Sequence, residues 1–350
     1  MNPIAGMGGR VALKGTDGPE ALSQARARGA APVAPERARR ALAQLDKDTR
    51  VLAAPGVMGG DLAAGAGLAH ETTAPLLGSA TGPLDTRNAV AEMCERGVSL
   101  LLFAGGDGTA RDIHDAIGGE LPLVGIPTGV KMHSGVFAAT PGAAGAAAAA
   151  FLRGATDLHD AEIADVDEQA ARDDRVATRL YGSARVPSQP ALMLAAKAPS
   201  LAADAALAAL CAGMDLAGLV LLGPGTTTAK IAPGTLLGVD AFRDGELVAA
   251  DLDEAGILAL LEREDARLIL GVVGGQGSLL GRGNQQLSAR VLRRLGRDAI
   301  TVVAGADKLV ALQPPVLRVD TGDDALDAEL SGYIRVHTAP GRTIVMKVST

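Results

Sequence analysis

Tryptophan is absent from these 350 residues, and aromatic residues of all kinds make up 2% of the chain. Stacking platforms for bases or sugars are therefore scarce, which argues against single-stranded nucleic acid as a ligand and against a deep adenine-stacking pocket. No long basic run is present and the net charge is −7. Neither nucleic acid nor an anionic membrane surface is an expected partner of such a chain. The two cysteines, Cys94 and Cys211, are far apart and lack metal-ligand spacing. Both read as buried thiols of a reducing compartment. Long apolar runs are missing too. The run 143–152 is too short to span a bilayer, and 205–222 is interrupted by Gly213, Asp215 and Gly218, so no membrane insertion is expected. The first residues have neither a basic nor an apolar leader pattern, and a cytoplasmic location follows as the expectation.

Hydrophobic residues make up 48% of the chain, ample for the cores of about two domains. The most informative stretch is Leu100-Leu-Leu-Phe-Ala-Gly-Gly-Asp-Gly-Thr-Ala-Arg-Asp112. An apolar run of strand length stops at glycines, and a helical apolar face follows through Ala110, Ile113, Ala116 and Ile117. Thr109 is the expected helix cap, with Asp112 as a weak capping-box partner. Gly105, Gly106 and Gly108 leave room for a close ligand. A glycine turn feeding a helix N-terminus is an anion site, so an aspartate inside it, Asp107, suggests phosphate chemistry with Mg²⁺.

Strands alternate with helices up to about residue 153. Helices are expected at 36–44 and 85–96, the latter capped by Asp85, and a strand at 121–126. One or two helices are expected over 136–152. This order implies a parallel sheet with ligands at the carboxyl ends of its strands. From residue 154 the texture changes. Charges alternate with apolar residues over 160–197, followed by strands near 216–222, 236–239, 267–273, 300–303 and 316–319, and a β-like end at 332–348. The expected domains are 1–153 and 154–350.

Further turns are rich in chemistry. Asn2-Pro-Ile-Ala-Gly6 opens a glycine-rich loop with no strand written ahead of it. Lys131, His133 and Ser134 lie in a polar turn after the 121–126 strand; Lys131 is either a phosphate contact or a solvated lysine, and Ser134 either a helix cap or a ligand contact. Gly225-Thr-Thr-Thr228 is a hydroxyl-rich turn after a buried strand. Gly275 and Asn284 belong to a glycine-dense loop, 274–285, with Arg282 as a charge partner for phosphate. Asp165, Asp167 and Glu168 form one acidic cluster; Asp320, Asp323, Asp324 and Asp327 form another, either a hard-cation site or a solvated turn.

Taken together, Asn2–Gly9, Gly105–Ile113, Gly125–Phe137, Asp165–Glu168, Gly223–Thr228, Thr235–Asp240, Gly274–Asn284 and Asp320–Asp323 resemble the ATP-NAD kinase-like proteins often associated with acetoin catabolism. These belong to the superfamily that joins NAD kinases with diacylglycerol and sphingosine kinases. The resemblance implies an N-terminal Rossmann-like α/β domain, a β-rich, sandwich-like C-terminal domain and a site between them. It implies phosphoryl transfer from ATP, with Mg²⁺, to a hydroxyl of a small soluble metabolite, with NAD a possible substrate. Asp107 would be base or metal-linked acid. Asn2, Gly6, Gly105, Gly106, Gly108, Thr109, Lys131, Ser134, Gly225, Thr226, Thr227, Thr228, Gly275 and Asn284 would line the nucleotide and substrate sites. Asp107, Asp320 and Asp323 would be the Mg²⁺ candidates.

Two departures stand out. The apolar strand that precedes the first loop in relatives is not written here, and no Asn-Glu pair of the kind that binds the acceptor nucleotide in NAD kinases is found. A lipid or polyol kinase on the same scaffold, or a catalytically weak nucleotide-binding regulator, therefore remain alternatives. A homo-oligomer is the expected assembly.

Overall fold

The structure is a computed structural model and describes residues 1–13, 19–76, 81–129, 132–166, 178–189, 191–193, 205–234 and 236–350. Two compact units emerge. Of the described residues, the first holds 1–7, 31–166 and 178–193, and the second holds the rest.

The chain gives α1 (Pro19–Ala27) to the second unit and then builds the first. Its elements are α2 (Ala34–Leu42), β1 (Val51–Ala53), α3 (Gly60–Gly65), β2 (His70–Thr72), α4 (Pro83–Glu95), β3 (Leu101–Gly105), α5 (Asp107–Ile117), β4 (Leu123–Pro127), α6 (Pro141–Leu152), β5 (Leu158–Val166) and β6 (Thr178–Pro187). The expected parallel pairing is present: β1 runs parallel to β2, and β3 to β4 in the register Leu101↔Leu123 through Gly105↔Pro127. Residue 154, where the sequence texture changes, lies inside this unit, because the antiparallel hairpin β5–β6 that follows packs on α5 and β4. The core gathers Phe103, Ile113, Leu123, Phe137 and Ile163.

Local chemistry explains several element ends. The cap of α4 is Gly82, and Asp85, expected as the cap, sits in the first turn and accepts the Gly82 N–H at 2.9 Å. Pro83 fixes the helix start one turn earlier than apolar periodicity suggests. Residues 136–139 are not helical, and Phe137 bridges to Gly125 and Ala138 to Met193. Thr140 then caps α6 by accepting the Ala143 N–H at 3.2 Å.

Helices α2 and α6 touch backbone to backbone at Gly145, where a Cβ would lie 2.0 Å from the Ala41 carbonyl oxygen. Gly145→Ala is thus expected to lower stability by about 1–3 kcal/mol despite the better helix propensity of alanine. Chemical denaturation of the purified variant reads this directly.

The second unit contains α7 (Ala205–Ala212), β7 (Leu219–Leu222), β8 (Asp240–Arg243), β9 (Glu246–Ala249), α8 (Glu254–Leu261), β10 (Ala266–Gly271), β11 (Ser278–Leu280), α9 (Ala289–Leu295), β12 (Ile300–Val303), α10 (Ala306–Val310), β13 (Val316–Val319), α11 (Asp324–Leu330), β14 (Gly332–Ala339) and β15 (Arg342–Ser349). Its strands form one nine-stranded mixed sheet in the order β11-β13-β15-β14-β12-β10-β7-β8-β9. The C-terminal half is therefore β-rich, as expected, with its strands gathered in a single sheet.

Within the parallel stretch β7-β10-β12-β14, strands β7 and β10 are apolar on both faces. Leu219, Leu221, Leu268 and Leu270 feed one core, and Val220, Leu222 and Ile269 the other, with Cys211 and Phe242. Burial on both faces produces continuous apolar runs where one-sided strands would alternate. The strand expected at 236–239 lies a few residues later, as β8, paired to β9 across the Asp244-Gly245 turn, where both residues have positive φ.

Among the described residues no helix is long and apolar enough to cross a membrane. Of the two thiols, Cys211 is buried as expected and its pKa is pushed up by that burial, whereas Cys94 is half-exposed and approaches Glu120 at 3.8 Å.

Candidate functional site

At the carboxyl ends of β3 and β4 three turns of the first unit meet. The first, residues 2–7, is tied to β3 by the Asn2 N–H, which donates to the Ala104 carbonyl at 2.9 Å. Asn2 Oδ1 accepts the Ile4 N–H at 3.2 Å and so shapes its own loop. Gly6 has φ +79°, and a Cβ there would lie 1.9 Å from the Thr128 carbonyl oxygen. That residue opens the second turn, described at 128–129 and 132–134, whose Thr128 N–H donates to the Gly105 carbonyl at 3.2 Å. The third turn, 105–109, reaches the second through bare backbone: a Cβ on Gly129 would come within 3.0 Å of the Gly106 Cα.

Asp107 fastens this junction. Its Oδ2 accepts the His133 N–H at 2.7 Å, while its Oδ1 accepts the Ser134 N–H at 3.1 Å and the Ser134 hydroxyl at 2.5 Å. Ser134 Oγ in turn accepts the Ala164 N–H of β5 at 3.0 Å. Asp107, His133 and Ser134 are all buried. An ionised carboxylate offers about four lone-pair directions. The three donors here leave one for a hydroxyl proton or a cation.

Three expectations change at this point. The helix cap is Gly106, not Thr109, because the chain enters α5 directly after the glycines; Thr109 is buried in the first turn. Asp112 does not close a capping box, since Arg87 holds it at 2.9 Å. Ser134 caps no helix, being spent on Asp107 and Ala164.

The cap residue of α5, Gly106, has no side chain to satisfy the first turn. Its N–H groups and the positive end of its dipole suit an anion. Thr128, which the sequence reading passed over, places a hydroxyl here that is buried and without a hydrogen-bond partner among the described residues. Its place between Pro127 and Gly129 in a turn after a strand was the available signal.

Of the other expected residues, Lys131, Asp167 and Glu168 lie outside the described residues, and of Asp165 only the backbone, within β5, is described.

The second unit brings its own group together. Gly225 has φ +139°, and Thr228 Oγ1 donates to its carbonyl at 2.9 Å, closing the hydroxyl turn. Thr226 is exposed. Thr227 is buried, and its hydroxyl accepts Lys308 Nζ at 3.4 Å. Burial, with Lys230 adding to it and Asp307 opposing, pulls the Lys308 pKa below its ordinary value. Lys308 was invisible to sequence reasoning, since 81 residues separate it from Thr227.

In the glycine loop, Gly275 takes φ +76°. Asn284 is committed to the loop itself, with Oδ1 on the Gly281 N–H at 2.8 Å and Nδ2 on the Leu279 carbonyl at 2.9 Å. Arg282 contacts Gln276 Oε1 at 3.4 Å.

The acidic stretch is mostly engaged in structure. Asp320 donates its N–H to the Leu280 carbonyl at 3.2 Å. Asp323 caps α11 through the Leu326 N–H at 3.0 Å and pairs with Arg293 at 2.8 Å, and these contacts hold its pKa below the usual carboxylate range. Asp327 accepts the Thr321 N–H and hydroxyl at 2.9 and 2.6 Å. Among the described residues no three His, Cys, Asp or Glu side chains are grouped as a metal cage.

Residues 17–156 match the family model of the ATP-NAD kinase N-terminal domain, and residues 225–348 match that of the ATP-NAD kinase C-terminal domain. Comparison with curated proteins and with solved structures gives no match. The N-terminal match contains the Asp107 turn and the C-terminal match the Gly225–Thr228 turn. On those two matches, which between them take in most of its length, the chain belongs to the ATP-NAD kinase family.

Proposed function

We propose that this chain is an ATP-dependent kinase that moves a phosphoryl group onto a hydroxyl of a small metabolite, NAD being the first candidate. The observation that carries the reading is the Asp107 junction: a buried carboxylate with one open lone-pair direction, set at a helix N-terminus whose cap position is a glycine and where three turns meet.

In this reading Asp107 takes the proton of the acceptor hydroxyl as its oxygen attacks the terminal phosphorus and the bond to the ADP oxygen breaks. The N–H groups of the first turn of α5 hold donor phosphate oxygens, and the buried Thr128 hydroxyl donates to one of them. Magnesium in such sites is bound through one or two carboxylates plus substrate phosphates, so a single open direction on Asp107 fits it without a cage. When bound, the ion supplies charge neutralisation on the phosphates. Asp107 serves either as base or as metal ligand, and its hydrogen bonds from residues 133–134 fix its orientation for either task.

In the second unit Thr227 and Lys308 form a hydroxyl–ammonium pair suited to a phosphate or ribose oxygen. Lys308→Ala is expected to raise KM about tenfold or more with kcat little changed, as loss of uniform binding does. Steady-state kinetics against ATP and the acceptor would read it.

A second reading has one observation in its favour. Asp107 already spends three of its lone pairs holding the 132–134 turn, the bonding expected of a structural clamp in a nucleotide-binding regulator. Calorimetric titration with ATP·Mg²⁺ and then NAD separates the two. The kinase reading expects NADP formation; binding of ATP with no phosphorylated product favours the regulator.

A further inference from the structure

The hairpin β5–β6 carries an irregularity beside the Asp107 junction. In its register Ile163 faces Gly182 but Ala164 faces Leu180, so Tyr181 is the extra residue of a β-bulge. A bulge bends its strand and re-aims a side chain. Two routes tie this one to Asp107. Along the hairpin, the Ala164 N–H donates to Ser134 Oγ, which itself donates to Asp107. Along α5, the Tyr181 hydroxyl donates to Asp115 Oδ1 at 2.5 Å, and its ring meets His114 edge-on with centroids 6.0 Å apart. Gly182 makes room for that ring pair, since a Cβ there would lie 2.3 Å from His114 Nε2.

Arg111 sits where the two routes meet. Its Cζ lies 6.0 Å from the centre of the Tyr181 ring, within cation–π range. Its Nη2 reaches back toward the first turn of α5. A Cβ built on Gly108 would lie 3.7 Å from that nitrogen, and among the described residues no other atom outside the local helix backbone would come within 4 Å. Helical side chains lean toward the N-terminus and residues three apart share a face, so the bare backbone of Gly108 lies next to the guanidinium. The Arg111 side chain is half-buried, with its Nε shielded from water. A planar fork of N–H donors is thus held, partly desolvated, beside the turn whose own N–H groups suit an anion.

We infer that Arg111 is a phosphate-binding residue of this site and that Tyr181 is the residue that positions it. This rests on the reading of the Asp107 junction as a phosphate site, to which Arg111 adds a full positive charge. The helix end supplies only partial charges, whereas a guanidinium can hold two phosphate oxygens at once. The ligand is a phosphate ester or anhydride, carried by the donor or by the acceptor; an uncharged polyol gains nothing from this residue.

Arg111→Met removes the charge and the fork and keeps a long stem against Tyr181. The native chain and this variant are titrated calorimetrically with inorganic tripolyphosphate, ATP·Mg²⁺ and NAD, each at low and high salt, with Tm measured alongside. At least one of the three should bind about tenfold to a hundredfold more weakly to the variant, the worth of a charge-assisted hydrogen bond. The same ligand should lose part of its salt dependence. Weakening of tripolyphosphate and ATP assigns Arg111 to the donor; weakening of NAD alone assigns it to the acceptor. Arg111→Lys should restore only part of the affinity, because an ammonium has neither the fork nor the stacking face. Tyr181→Leu should weaken the same ligand about two- to fivefold with Arg111 still present.

Unchanged affinity and salt dependence in Arg111→Met would overturn the inference, as would a native chain that binds none of the three ligands. A lower Tm with affinity intact is equally fatal, since it makes Arg111 a structural clasp between β6 and α5. The readout is binding and does not need turnover. A chain that binds ATP through Arg111 and phosphorylates nothing therefore contradicts the kinase reading alone.

Discussion

Asp107→Asn is expected to cut phosphoryl transfer by about 10²–10⁴-fold, the usual contribution of a positioned general base. The substitution also disturbs the junction. The amide retains one acceptor oxygen, but its NH₂ group faces N–H donors that the carboxylate satisfied, among those of His133, Ser134 and the Ser134 hydroxyl. A buried mismatch of this kind costs about 1–3 kcal/mol. The rate should therefore be measured well below the variant's Tm, with ATP affinity measured alongside. Loss of turnover with ATP still bound separates a chemical role from a collapsed turn. Ser134→Ala is the internal control: it removes one hydrogen bond to Asp107 and one from Ala164 and leaves the carboxylate in place, so it should cost stability far more than rate.

Gly6→Ala should have the largest effect on the fold around the site. The left-handed backbone at φ +79° costs an L-residue about 1–2 kcal/mol. The new methyl would also lie 1.9 Å from the Thr128 carbonyl and 2.7 Å from Val33 Cγ2, so backbone must move, adding about 1–3 kcal/mol. The expected total is about 2–5 kcal/mol, read as the shift of the denaturation midpoint at constant slope. Because the displaced atom belongs to the second turn, ATP affinity should fall with stability. A neutral Gly6→Ala variant would mean that the 2–7 turn is not seated on Thr128.

How far the sequence could be read depended on whether local or distant contacts set a feature. The strand–turn–helix at 100–117 was legible because apolar run, glycines and helical periodicity agree over one short stretch. The burial of β7 and β10 on both faces was legible as continuous apolar runs. The caps of α4 and α5 were misjudged by a few residues because glycine, which carries no side-chain signal, occupies both cap positions. Ser134 and Asn284 were sensible ligand candidates by type. Their partners, Asp107 and the loop around Gly281, turn them into supports, and only the fold supplies those partners. Thr128 and Lys308 went unnoticed for the complementary reason: neither has an unusual neighbourhood in the sequence, and each gains its meaning from a residue elsewhere.

The central claim is that the Asp107 junction belongs to a working phosphotransferase. Its most direct test is to incubate the purified chain with ATP·Mg²⁺ and NAD and to follow NADP and ADP together. NADP and ADP are expected to appear one for one, and Asp107→Asn is expected to remove both. Transfer that proceeds unchanged in Asp107→Asn, or ATP bound by the native chain with no hydroxyl phosphorylated, would contradict it.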